Sequence, residues 1–302
     1  MLIAHRGGSG LFLENSLAAF EHAIAAGCDG AELDVHLSAD GALVVHHDPI
    51  LNHQYTKTPA GRWLRPLERR AIAALTLAEI RRYRIGQPNP HSDYGRKFPD
   101  LAVIEDQPVP TLAEVIELVR QRSSTFRLVI EIKSACLFAP RGRCWQPLVD
   151  AVLAELERLQ FTERAILCGF DWRALRYAKQ CQPRIPLWLN THPFAWRDGE
   201  RAAPADLPVS RAMRAMLRAA DAAGTHWQAG FRPASAAAAP RAVRAAGGDL
   251  WFAYYTDCSQ AAIAQARAES VGIGAWTVNL RAAEKRRRLQ QLDLDAVCVD
   301  YF

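Results

Sequence analysis

A chain of 302 residues, half of them apolar and 23% charged, has the length for one large α/β barrel or two ordinary domains and the composition of a globular core. Its net charge of +5 suits an anionic small molecule and is too weak to argue for nucleic acid, since no basic run is interleaved with aromatics and Lys285-Arg286-Arg287-Arg288 reads as a solvated helix face. The seven cysteines (Cys28, Cys136, Cys144, Cys168, Cys181, Cys258 and Cys298) are scattered without CxxC spacing, which argues against a disulfide framework or zinc site and for free thiols. No apolar run approaches membrane-spanning length, and the chain enters a strand at Leu2. A soluble, cytoplasmic protein with no stable membrane insertion is expected.

Leu2-Ile3-Ala4 reads as a short strand that delivers His5-Arg6-Gly7-Gly8 at its end. The glycines permit close backbone approach, and Arg6 can fork onto a phosphate or carboxylate. Glu14-Asn15-Ser16 then precedes Leu17, Phe20 and Ile24 at helical spacing, with Gly27 closing the helix. Asn15 is expected to cap that helix, with a phosphate contact as the other possibility.

The next strand, Gly30-Ala31-Glu32-Leu33-Asp34-Val35-His36, organises the rest. Side chains alternate along a strand, so Glu32 and Asp34 point the same way, about 7 Å apart at Cα. Two carboxylates on a buried strand repel each other and lose hydration, and a hard cation such as magnesium or calcium between them relieves both costs. A lysine or arginine in a barrel interior would serve as well. Asp40-Gly41 turns the chain into Leu43-Val44-Val45 and His46-His47-Asp48-Pro49, where neighbouring histidines face opposite ways and only one can share the site.

Residues 50–108 break the alternation, rich in Pro, Arg and Asn with one weak helix near Leu77–Arg84, and read as a cap or substrate-selecting lid. Tyr55, Trp63 and Tyr94 are expected at its mouth. Thr111 and Glu114 form a capping box for a helix to about Arg122. Leu128-Val129-Ile130-Glu131-Ile132-Lys133 is a buried strand on which Glu131 can complete a three-carboxylate metal site and Lys133 can meet a phosphate, unless the two merely pair.

Strands at 165–169, 185–190, 273–278 and 296–300 follow, with helices at 172–181, 209–222, 236–246, 260–269 and 281–292. For the sixth barrel strand, Leu250–Tyr255 is favoured over Thr225–Ala229. The alternation predicts a single closed (β/α)8 TIM barrel over 1–302, with 50–108 inserted after the second strand. His36, His46, His53, His91, His192 and His226 are assigned to structure or surface.

His5-Arg6-Gly7, Glu14-Asn15-Ser16, Glu32-Leu33-Asp34, Asp40-Gly41 leading to His47-Asp48-Pro49, Val109-Pro110-Thr111-Leu112, Glu131-Ile132-Lys133, Trp276-Thr277-Val278-Asn279 and Asp300-Tyr301 form an ordered set spanning nearly the whole chain. In that set the sequence resembles the glycerophosphodiester phosphodiesterases. It departs from their pattern in 191–258, longer and richer in Ala and Arg, and at Phe302, where proline is usual. The resemblance implies hydrolysis of a small anionic glycerophosphodiester to glycerol 3-phosphate and an alcohol. By the same resemblance, Glu32, Asp34 and Glu131 would hold a divalent cation, Mg2+ or Ca2+, with His5 and His47 as the acid/base pair. Arg6 and Lys133 would bind phosphate oxygens, and Trp276 would lie against the glycerol. A lysophospholipase D-type activity and a silent phosphodiester-binding barrel are the alternatives, and the attacking oxygen is either water's or the substrate's own glycerol 2-hydroxyl.

Overall fold

The structure is a computed structural model that describes residues 1–134, 145–194, 227–278 and 291–302, with residues 215, 219, 222 and 287 besides. The expected helix at 209–222, most of that at 281–292, the basic run 285–288, Asn279, His226, Cys136 and Cys144 lie wholly or largely outside these residues.

Eight parallel strands close a barrel: β1 (Leu2–Ala4), β2 (Gly30–Leu37), β6 (Arg127–Ile132), β7 (Ala165–Gly169), β8 (Leu187–Asn190), β9 (Leu250–Tyr254), β10 (Gly272–Val278) and β11 (Ala296–Val299). Closure is made by β1, which pairs with β2 on one side and with β11 on the other. The antiparallel strand β3 (Leu43–Val45) extends β2 as a hairpin. Residues 250–254 supply the sixth barrel strand as favoured, whereas Trp227–Gly230 form a turn.

Period-two alternation sorts the strands' side chains. Ile3, Val129, Ile166, Phe252 and Cys298 fill the barrel interior, while Ala4, Leu33, Val35, Ile130 and Val299 face the surrounding helices. Those helices include α1 (Leu17–Ala25), α4 (Leu112–Arg122), α5 (Gln146–Arg158), α6 (Trp172–Cys181), α7 (Ala239–Ala246) and α8 (Gln260–Ala268). Thr111 and Glu114 make the expected capping box on α4.

The insertion is folded around a small core of its own. Leu51, Tyr55, Leu64, Ile72, Ile80 and Ile85 pack with Leu13, Val44 and Val109. A two-stranded sheet of β4 (Thr56–Lys57) and β5 (Arg84–Ile85) and two short helices, α2 (Leu77–Ile80) and α3 (Asp93–Lys97), complete it. The helix expected at 77–84 stops at Ile80: Tyr83 N–H closes a turn onto the Ile80 carbonyl, and Arg84 and Ile85 pair with β4, Ile85 also with Gln107.

Among the described residues five cysteines are free and none forms a disulfide, and no helix is long and apolar enough to cross a membrane.

Candidate active site

Register builds the acidic nest. Asp34 of β2 lies directly opposite Glu131 of β6, and Glu32 stands two residues before Asp34 on the same inward face. One oxygen of each carboxylate lies within 4.8 Å of the other two. Glu32 and Asp34 are 3% and 1% exposed, so water cannot disperse their charge. Burial, with Asp34 and Glu131 beside it, pushes the Glu32 carboxyl well above the usual carboxylate range, and Arg6 offsets only part of that. Burial also works against Asp34, but Lys133, His47 and Arg6 outweigh it and hold that carboxyl well below the usual range. Lys133 Nζ bridges Glu131 (3.0 Å) and Asp34 Oδ1 (3.3 Å), yet Asp34 Oδ1 accepts no hydrogen bond. A dry, all-oxygen set with a surplus of negative charge and an orphaned oxygen fits a hard divalent cation.

The first loop folds back over this nest. Arg6 has φ of 50° and Asn15 φ of 55°, a left-handed backbone that costs a non-glycine residue about 1–3 kcal/mol. Arg6 N–H donates to Glu32 Oε2 (3.0 Å), its guanidinium donates to Glu14 Oε2 (2.8 Å), and its Nε lies 3.5 Å from Asp34. Asn15 does not cap α1. Ser16 does, accepting from Ala19 N, while Asn15 Nδ2 donates to Asp34 Oδ2 (2.8 Å) and its Oδ1 accepts from Asp34 N. The capping expectation fails because the residue next to the cap reaches the strand in space. Asn15→Ala should therefore weaken divalent-cation affinity about ten- to a hundred-fold, as loss of a ligand's supporting hydrogen bond ordinarily does, while changing helix stability little. Calorimetric titration beside a thermal melt checks both.

Each histidine at a strand end has a carboxylate behind it. His5, just after β1, donates from Nδ1 to Asp300 Oδ1 (2.7 Å), just after β11; Ser9 Oγ donates to the same oxygen (2.5 Å). Burial raises the Asp300 carboxyl, but His5 and Ser9 outweigh it and hold it at about 2. His47, beyond β3, donates from Nδ1 to Asp48 Oδ1 (2.9 Å), whose other oxygen accepts from Asn52. A carboxylate only accepts, so Nδ1 carries the proton in both rings and Nε2 is left basic. His5 Nε2 lies 3.4 Å from Thr277 Oγ1 and 3.9 Å from Glu32.

His46 is buried against Tyr55, and His36 donates to the His47 carbonyl, so both brace the His47 segment, in keeping with a structural role.

A cavity of about 330 Å³ opens here, with His5, Arg6, His47, Thr277 and Asp300 among its barrel-side walls. Glu32, Asp34, Glu131 and Lys133 are not in its lining. Nor is Trp276, which donates to the Phe252 carbonyl and meets Phe170 and Tyr254 edge to face. Of the three aromatics expected at the mouth only Tyr94 lines the cavity. Tyr55 is buried beneath, donating to Glu14, and Trp63 packs under the Lys57 ammonium.

Asp300, Asp48 and Glu14 carry orienting roles that sequence reading left unassigned, although each lay inside a quoted motif. For Asp300 the available signal was its place directly after the last strand, which barrel closure sets beside the first.

A closed parallel barrel that gathers an acidic nest and two carboxylate-backed imidazoles has the build of a (β/α)8 enzyme, a fold whose active sites lie at the C-terminal ends of the strands. The chain is a member of the glycerophosphoryl diester phosphodiesterase family, whose pattern matches residues 5–302. It is 32% identical over 189 residues, 63% of this chain and 65% of the relative, to a glycerophosphodiester phosphodiesterase of Caldanaerobacter subterraneus; the match thus spans just under two thirds of that relative. A solved protein of Silicibacter pomeroyi superposes with a TM-score of 0.80 at 29% identity, covering 99% of this chain and 89% of that one. A phosphodiesterase of Oleispira antarctica, solved with sn-glycerol-3-phosphate, shares the fold at a TM-score of 0.66 and 22% identity, covering 100% and 93%.

Proposed function

We propose that this protein hydrolyses glycerophosphodiesters to sn-glycerol 3-phosphate and an alcohol, with Mg2+ or Ca2+ at Glu32, Asp34 and Glu131. The observation that carries the reading is the pair of imidazoles at one cavity, each with Nδ1 tied to a carboxylate and Nε2 left to move a proton. The activity named for the Caldanaerobacter relative and the product held by the Oleispira enzyme support it.

A phosphodiester is an anion that repels nucleophiles, and its alkoxide is a poor leaving group. Bound at the nest, the cation would supply Lewis-acid polarisation and positive charge. Arg6 and Lys133 supply the protein's own positive charge; Glu14 fixes the Arg6 fork, and Asp34 and Glu131 fix the Lys133 ammonium. One histidine, neutral with Nε2 unprotonated, accepts the attacking hydroxyl's proton there, and the other, entering the cycle as imidazolium with a proton on each nitrogen, donates from Nε2 to the departing oxygen. Residues 50–108 act as the cap.

The test is glycerol 3-phosphate release by chelator-treated protein with magnesium, calcium or manganese restored. His5→Ala, His47→Ala and Glu131→Gln should each lower kcat by about 10²-fold or more. Folded, metal-loaded protein that releases nothing from glycerophosphodiesters or lysophospholipids would replace this reading with a phosphodiester-binding barrel.

A further inference from the structure

The outer wall of the cavity is made by the insertion, through Asn52, Gln54, Tyr94, Lys97 and Phe98. Three carboxylates also border the space, and the protein uses all three. Glu14 is taken by Arg6 and Tyr55, Asp48 by His47 and Asn52, and Asp300 by His5 and Ser9. Each is thus already engaged by protein donors before a cationic group on a ligand could reach it.

The other way to hold an ammonium is an aromatic face. Tyr94 and Phe98 offer one, with ring centroids 5.0 Å apart, but Lys97 Nζ stands 4.7 Å from the Phe98 centroid. The protein's own ammonium thus already lies over one face of the Phe98 ring. Among the described residues Lys97 forms no salt bridge, so its donors remain open to an acceptor. Gln54 is arranged in the same sense. Its Oε1 accepts from Tyr94 N, while its Nε2 has no hydrogen-bond partner among the described residues. This wall therefore offers donors and positive charge and carries no carboxylate of its own.

We propose that Lys97 selects the leaving alcohol by charge: the insertion wall takes neutral polyol or anion-bearing head groups and discriminates against cationic ones such as choline and ethanolamine. The proposal rests on the glycerophosphodiesterase reading above. Lys97 lies on the exposed side of α3, and its field already helps hold Asp300 ionised, so it stands within electrostatic reach of the reacting region. Specificity of this kind is built from a repulsive element against the wrong ligand as much as from contacts to the right one.

The experiment compares kcat/KM for glycerophosphoglycerol, glycerophosphoinositol, glycerophosphoethanolamine and glycerophosphocholine in wild type, Lys97→Gln and Lys97→Glu, with thermal melts to confirm folding. Wild type should favour the polyol esters by about tenfold, the scale of one like-charge contact near a protein surface. Lys97→Gln should bring the two classes within a few-fold, and Lys97→Glu should reverse the order. The ratio between head groups isolates the wall, because any attraction of Lys97 for the common phosphate cancels. Hydrolysis with the same ratio in all three proteins, or a wild type that favours choline, overturns the proposal and leaves the activity standing. Silence across the panel overturns the activity reading and the proposal with it.

Discussion

Asp300→Asn is expected to lower kcat by about two to four orders of magnitude while leaving KM and the fold nearly unchanged. The substitution keeps the shape and removes an obligate acceptor. Asn can present its amide N–H to His5, which would place the imidazole proton on Nε2 and leave the cavity-facing nitrogen unable to take another. Asp300 does not touch the reacting atoms; it positions His5, and a pH profile separates that role from a structural one. Its carboxyl titrates at about 2, below the ordinary value, so its contribution to stability is complete above the ordinary carboxylate range and lost as pH falls through about 2. An acid limb of activity at higher pH must therefore belong to other groups and should persist, at lower amplitude, in the variant. A kcat within a few-fold of wild type would remove Asp300 from the mechanism. Asp48→Asn should cost less, since the His47 and Asp48 side chains are about one-third exposed and water can replace the lost acceptor, whereas His5 and Asp300 are 17% and 13% exposed.

The second large effect is expected at Gly7→Ala, with a loss of about 2–4 kcal/mol in stability and a parallel loss of activity. Gly7 has φ of +82°, and a Cβ there would lie 2.8 Å from the Ala19 Cβ and 3.0 Å from the backbone of Ala19 and Phe20. That backbone is α1, packed against the barrel, and it cannot step aside as a flexible side chain could. Relief must come from the loop that carries His5 and Arg6, and a displacement of about 1 Å in catalytic groups costs roughly a hundredfold in rate. Gly27→Ala provides the comparison. Its φ of +77° imposes similar backbone strain, but nothing lies within 4 Å of the added methyl. It should cost only about 1–2 kcal/mol and spare activity. Denaturant midpoints and initial rates for the pair decide the matter: equal losses in both would mean that the approach of α1 does not position the loop.

The parallel strands were legible because buried strands of this class are uninterrupted apolar runs, and an acid such as Glu32 or Glu131 within one is conspicuous. Alternation along β2 then gave the shared face of Glu32 and Asp34 without any coordinates. Register between β2 and β6, which brings Glu131 opposite Asp34, has no local signature, and the third member of the nest came from chemistry and family likeness instead. Asn15 misled because an amide before a helix is locally a good cap; its partner, Asp34, is 19 residues away. The insertion was opaque for a physical reason. Its small core is assembled from single residues such as Leu51, Ile72 and Ile80 separated by turns, with no repeating period to read. Lys97 sits on a helix of five residues within that region, too short to announce which way its side chains face.

The bond between His5 and Asp300 joins positions 295 residues apart. A chain emerging from the ribosome carries its first histidine from the outset, but that imidazole has no acceptor until the last strand has been made and paired beside the first. The same event seals the barrel, since β1 must accept β11 as a neighbour. Contacts of such long sequence separation form late, after the entropy of closing the intervening chain has been met. On the proposed reading, proton transfer at His5 would become competent only with completion of the fold, and a partly built barrel holding its acidic nest would still lack half of the proposed acid–base pair. The proposed hydrolysis would begin as a property of the finished barrel.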